Sequence, residues 1–242
     1  LILHIIDRYS RMSYELDDVA DLHDNCVLEL VRAAGLMPKA RSPNGLFALE
    51  DHRIVFVMVG LPARGKSYIA RRIVRYLTWV GVTAQLFNVG AYRRKAVASD
   101  EASADFFSPT NKAALQRRDK LCADALADMF AFLNGEGRVA VLDATNTTRE
   151  RRAQVRTACA EHGLTPIFIE SLCQDDSVVE ANIRETKLTS PDYRDTDPQR
   201  AMDDFRKRIA HYASVYEEVS DDEGKYIKLI DVGRKIVVHD IS

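Results

Sequence analysis

From residue 53 onward, short apolar runs alternate with longer segments whose apolar positions recur every three to four residues. The runs at 54–59, 83–88, 139–143 and 167–172 have strand length and are rich in β-branched and aromatic residues. The segments 66–80, 109–133, 148–162, 176–187 and 198–216 carry helical spacing, and a closing strand pair is expected near 227–230 and 235–238. Strand followed by helix, repeated, predicts an α/β fold with a mostly parallel sheet covered by helices on both faces. Ser108-Pro109 and Asp197-Pro198 each offer an N-cap oxygen followed by proline at the first helical position, and Thr147 to Glu150 has capping-box spacing.

Residues 1 to about 50 break this pattern. An amphipathic helix is expected over about 12–34, followed by the turn formers Gly35, Pro38, Ser42, Pro43, Asn44 and Gly45, which read as a linker. The chain therefore divides into an N-terminal extension, 1–50, and an α/β domain, 51–242. Such an extension can pair two copies of the chain as a homodimer or cover the site, and the sequence leaves both open.

Composition narrows the function classes. Hydrophobic residues make up 46% of the 242, enough for a sizeable core and too many for a disordered chain. The 34 Lys+Arg nearly balance the 36 Asp+Glu, so no whole-surface positive field exists to hold a nucleic acid polymer, and any cationic site must be local. The longest apolar run, from Ile54 to Ala63, is far shorter than the roughly 20 residues of a membrane-spanning helix and contains Gly60 and Pro62. Cys26, Cys122, Cys159 and Cys173 form no CxxC pair and have no histidine at metal-ligand spacing, which fits a reducing, cytoplasmic setting. The chain starts at Leu1, as a fragment or a processed product would, and its first apolar stretch is too short for a signal peptide.

The sharpest chemical signal is Gly60-Leu61-Pro62-Ala63-Arg64-Gly65-Lys66-Ser67, which fits GxxxxGK[ST] directly after an apolar strand and at the opening of a helix. Its glycines let backbone N–H groups converge on phosphate oxygens at a helix N-terminus. Lys66 would reach the β and γ phosphates and Ser67 would ligate Mg²⁺. A second strand ends in Asp143, where a carboxylate can organise Mg²⁺ or face the transferred phosphoryl group. Arg149, Arg151 and Arg152 follow at the same sheet edge, either as ligand contacts or as a solvated helix face.

The acceptor has to be read from the other cations. Arg93 and its neighbours in Tyr92-Arg93-Arg94-Lys95 follow the second strand. Arg118 shares the apolar stripe Leu115, Cys122, Leu126, Met129, Leu133, and either snorkels to water or points at a bound anion. On the last helix Met202, Phe205, Ile209 and Tyr216 form the buried side, and Arg208 and Tyr212, four apart, share a flanking face suited to a phosphosugar. Lys187 either complements a helix dipole or neutralises charge in the cleft. Together these suggest a small phosphorylated acceptor.

The tracts GLPARGKSY (60–68), Asn88-Val89-Gly90-Ala91-Tyr92-Arg93-Arg94, DATNTTRERR (143–152), Ile169-Glu170-Ser171-Leu172-Cys173, Ser190-Pro191-Asp192-Tyr193 and Ala201-Met202-Asp203-Asp204-Phe205 strongly resemble the kinase domain of the 6-phosphofructo-2-kinase/fructose-2,6-bisphosphatase family, over about residues 53–238. The resemblance implies a P-loop NTPase fold of the nucleoside-kinase-like kind and transfer of the ATP γ-phosphoryl group to the 2-hydroxyl of fructose 6-phosphate. It implies sugar-phosphate contacts at Arg93, Arg118, Thr145, Arg151, Lys187, Arg208 and Tyr212. ATP contacts are implied at Gly60, Leu61, Pro62, Ala63, Arg64, Gly65, Lys66, Ser67 and Tyr68 and along 182–187, with Asn182 and Lys187 at its ends. Asp143 and Cys173 take active-site status, and the tract Asp231-Val232-Gly233 would approach the adenine. Ala91 and Ser108 depart from residues common in the family but remove no assigned ligand. The Arg-His-Gly motif of the phosphatase half is absent, since His162-Gly163 follows Glu161, so no phosphatase activity is expected. The rivals are a P-loop kinase for a polynucleotide 5′-hydroxyl or another small metabolite, and a non-catalytic ATP-binding regulator.

Overall fold

A computed structural model describes residues 5–6, 13–14, 31–32, 53–96, 103–187, 190–194, 196–231 and 233–241, and all structural statements concern these. Two short strands, β1 (Ile5–Ile6) and β2 (Ser13–Tyr14), pair antiparallel. The main sheet comprises β3 (Ile54–Val59), β4 (Ala84–Asn88), β5 (Val139–Asp143), β6 (Pro166–Leu172), β7 (Tyr226–Ile230) and β8 (Lys235–His239), in the order β4-β5-β3-β6-β7-β8. Every neighbouring pair is parallel except β7 with β8.

The apolar runs are continuous because both faces of the sheet are buried. In β3, Phe56 and Met58 face Ile69, Ile73 and Leu77 of helix α1 (Lys66–Trp79), together with Val31 from the N-terminal region. Val55, Val57 and Val59 face the other way, onto Met129 and Leu133 of the long helix Lys112–Asn134 and Val155 of the helix Arg149–Glu161. Each such side chain removed from water contributes roughly 1.5–3 kcal/mol. The fold is thus the three-layered, mostly parallel α/β arrangement expected from the alternation.

Local chemistry moves several boundaries. A helix not read from the sequence, α2 (Val89–Ala96), follows β4 directly and carries Tyr92-Arg93-Arg94-Lys95. The helix expected from 109 is α3 (Lys112–Asn134), capped not by Ser108 but by Asn111, whose side chain accepts from the Ala114 N–H at 3.0 Å. Before it lies a 3₁₀ turn, Ala104–Phe107. At α4 (Arg149–Glu161) the cap is Thr148, accepting from the Arg151 N–H at 3.2 Å, rather than Thr147. The helix expected over 176–187 is α5 (Asp176–Asn182) followed by a π turn, Ile183–Lys187. Asp197 caps α6 (Pro198–Ala213) as expected, but the helix stops before Tyr216, which lies beyond it and donates to Glu170 at 2.6 Å. The helix expected from residue 12 is contradicted at Ser13–Tyr14, whose backbone hydrogen-bonds to β1; Val31 and Arg32 are helical. The rest of that helix and its linker lie outside the described residues.

The position of β3 decides where ligands can sit. Its two sheet neighbours, β5 and β6, lie on opposite sides, so the crossovers leaving the sheet diverge at its C-terminal end and open a crevice there.

Candidate active site

The phosphate-loop sequence turns out of β3 at that crevice. Gly60 has φ 132°, and a Cβ there would stand 2.6 Å from the Ser171 carbonyl oxygen, so only glycine fits. Gly65, with φ 80°, is the N-cap of α1. The loop is fastened to three other elements. The Gly60 N–H donates to Thr145 O at 2.9 Å, the Ser171 hydroxyl donates to Arg64 O, and the Asn182 amide donates to Ala63 O at 3.1 Å. Lys66 Nζ donates to Leu61 O at 2.5 Å, within the span of the loop itself.

Around this loop opens a cleft of about 1310 Å³, larger than the roughly 300–1,000 Å³ typical of a site for one small ligand. One wall is the loop from Pro62 through Tyr68, with Asn182, Cys173, Asp231, Gly233 and Arg234 beside it. Gly60 and Leu61 lie beneath, supporting the turn rather than lining the space. Tyr68 accepts from Arg72 at 2.6 Å. Cys173 is buried, with its thiol 3.9 Å from the Asp175 carbonyl.

Between the walls stands Asp143, buried at the end of β5 and hydrogen-bonded by the Asn88 amide from the end of β4. Parallel pairing in register sets Asn88 opposite Asp143. Among the described residues no group of three His, Cys, Asp or Glu could hold a metal by itself. Ser67 and Asp143 suit Mg²⁺, a hard cation that keeps several water and phosphate oxygens and needs few protein ligands.

The opposite wall is cationic. Arg93, Arg118, Arg151 and Arg208 line it with Thr145 and Tyr212. Arg93 and Arg208 converge on Asp192, the latter at 3.7 Å. Burial pushes the Arg93 pKa down, Asp192 opposes this, and neighbouring Arg208 reinforces it. Nε and Nη1 of Arg93, and Nε of Arg118 and Arg208, are buried without a hydrogen-bond partner. Buried donors of that kind normally find acceptors, and an anion in the cleft would supply them. Arg118 also donates to Ser108 O at 3.3 Å. Leu115, expected on the buried stripe of α3, is instead 40% exposed at the cleft.

Two of the three arginines of the 149–152 tract are not where ligand binding would need them. Arg149 is exposed and paired with Asp222. Arg152 is fully buried and bidentate to Glu223, with both bonds at 2.7 Å. Only Arg151, paired with Asp119, reaches the cleft. The Lys187 side chain lies outside the described residues. Sequence reasoning missed Asn88, Asp192 and Asp204; the only signal was their place inside the tracts 88–94, 190–193 and 201–205.

A family model described as 6-phosphofructo-2-kinase matches residues 45–242. The chain is 44% identical over 211 residues to 6-phosphofructo-2-kinase/fructose-2,6-bisphosphatase 3 of Rattus norvegicus, covering 85% of this chain and 37% of that protein. It is 46% identical over 190 residues to 6-phosphofructo-2-kinase/fructose-2,6-bisphosphatase 1 of Bos taurus, covering 77% of this chain and 40% of the relative. It therefore spans about two fifths of the length of these relatives. With a phosphate loop at the switch point of a parallel sheet and a cationic wall facing it, the chain belongs to the 6-phosphofructo-2-kinase family.

Proposed function

We propose that this chain transfers the γ-phosphoryl group of ATP to the 2-hydroxyl of fructose 6-phosphate, giving fructose 2,6-bisphosphate and ADP. The observation that carries the reading is one cleft with two anion-binding walls, a phosphate loop on one side and Arg93, Arg118, Arg151 and Arg208 on the other. A nucleotide triphosphate and a sugar phosphate fit these two walls, and the relatives' names state the same chemistry. The kinase unit in this reading is residues 51–242.

Transfer breaks the bond from the γ-phosphorus to the β,γ-bridging oxygen and forms one to the sugar's O2. The loop's backbone N–H groups hold the phosphates, and Lys66 balances charge on the oxygens of the transferred group. Ser67 and Asp143 are the residues that would hold Mg²⁺, which when bound neutralises phosphate charge. Asp143, fixed by Asn88, also receives the proton of the 2-hydroxyl. A loose phosphoryl-transfer transition state asks little of a base, so positioning and charge provide most of the acceleration. The four arginines hold the 6-phosphate and set the distance between O2 and the γ-phosphorus. Cys173 lines the nucleotide side without taking part in bond making.

The test is phosphorus NMR of the mixture after incubation with MgATP and fructose 6-phosphate. An acid-labile resonance from a phosphate on the anomeric carbon, absent with Lys66→Ala, is the expected result. ATP binding without that product would overturn the reading and favour a regulator or another acceptor.

A further inference from the structure

Within the cationic wall, Arg93 and Arg208 pose an electrostatic problem that the carboxylate they share does not solve. Arg93 and Arg208 lie side by side, both largely buried, and share Asp192. Two positive charges against one negative leave a net charge on largely buried side chains, which is costly unless something else offsets it. The second partner is an aromatic ring. The guanidinium carbon of Arg208 stands 3.7 Å from the centroid of Phe107, and that of Arg93 stands 5.6 Å from it. Both fall inside the range over which the negative face of a ring attracts a cation.

Phe107 is itself held firmly. It ends the 3₁₀ turn Ala104–Phe107, is 3% exposed, and packs against Phe106 with ring centroids 5.2 Å apart and against Tyr212 at 5.9 Å. Asp204 of α6 fastens the turn from below, accepting from the Ala104 N–H at 2.8 Å and from the Tyr193 hydroxyl at 2.7 Å. The helix that anchors the turn is thus the one that carries Arg208 and Tyr212. Beyond the turn, Arg118 donates to the Ser108 carbonyl. The ring therefore cannot drift relative to the arginines.

From this geometry we propose that Phe107 is a positioning residue for the acceptor, a π platform that holds Arg93 and Arg208 close together so that their unpartnered N–H groups meet the phosphate of the incoming sugar. This rests on the acceptor reading above. A ring that only filled space would be replaceable by any apolar group of similar size; a platform depends on the electron density of its face.

The experiment replaces Phe107 in the full chain with mono-, di- and trifluorophenylalanine, which keep the shape and progressively withdraw density from the ring face, alongside Phe107→Leu. Fructose 6-phosphate affinity is measured by calorimetry, and KM and kcat by product formation. The dissociation constant and KM for the sugar phosphate should rise stepwise, reaching about tenfold with three fluorines. The kcat and the KM for ATP should stay within about twofold. A flat fluorine series, or a loss shared equally by sugar and ATP, overturns the platform. If Phe107→Leu fails to fold, the fluorine series still decides. A wild-type chain that binds fructose 6-phosphate but makes no product overturns the activity reading alone, and one that does not bind it overturns both.

Discussion

Replacing Arg152 by methionine should cost this fold more than any catalytic substitution, although the residue touches no ligand wall. Its guanidinium makes six hydrogen bonds: two to the Glu223 carboxylate, and one each to the carbonyls of Asn146, Thr147, Glu217 and Glu218. Methionine fills much of the volume but leaves a buried carboxylate without its cation. Breaking a buried pair from one side costs about 4 kcal/mol. In a domain of this size that lowers the melting temperature by roughly 8–16 °C. Burial alone would raise the Glu223 pKa, but the hydrogen bonds from Arg152 and the Ser220 N–H outweigh it and hold the group below its ordinary 4.5. A carboxyl depressed in the folded state stabilises above its ordinary value and loses that contribution as pH falls through the folded one. The gap between wild type and Arg152→Met should therefore be widest at neutral pH and close as the pH falls through the depressed wild-type value. Adding Glu223→Leu should recover part of the loss, because an apolar pair replaces an orphaned charge while the four carbonyls still lack the donors Arg152 gave them. Thermal unfolding by circular dichroism across pH is the assay. A melting temperature within about 2 °C of wild type at neutral pH would refute the reasoning.

Other substitutions separate the two walls. Lys66→Ala should lower kcat by about a hundredfold or more, as loss of a preorganised charge does, whereas Arg208→Ala should mainly raise the KM for the sugar phosphate; unchanged sugar affinity in the latter would misplace the acceptor wall. Gly60→Ala should abolish ATP binding and lower stability, because its Cβ would collide with the Ser171 carbonyl; equilibrium dialysis with ATP and a thermal melt check both. Cys173→Ala should weaken turnover without abolishing it, and a folded, ATP-binding variant with no detectable turnover would give the thiol a direct role.

Strands were the most legible elements because burial on both faces makes their signal continuous: β3 and β5 start and end where the apolar runs do. Helix starts were less so. Ser108 and Asn111 are both good caps, and the backbone path that gives Asn111 the role is set by the 3₁₀ turn before it. Helix α2 escaped because eight residues around Arg93-Arg94-Lys95 carry little periodicity. The phosphate loop was readable since its chemistry is contiguous. Asp192, Asp204 and Phe107 were not, because what they do arises only where α2, the 3₁₀ turn and α6 meet in space. Arg152 read either as a ligand contact or as part of a solvated helix face, and its tertiary partners show that it is neither.

The three tethers of the phosphate loop bear on the thermodynamics of nucleotide capture. Thr145, Ser171 and Asn182 belong to three different segments, and each holds a different point of the loop. Even Ala63 is kept at φ 59°, a left-handed conformation an alanine seldom adopts unaided. On the function proposed above, an incoming triphosphate would meet a loop already tethered at three points, so that much of its ordering entropy is lost on folding rather than on association. Nucleotide binding to this wall would then be a docking event, with the loop acting as a mould instead of a glove.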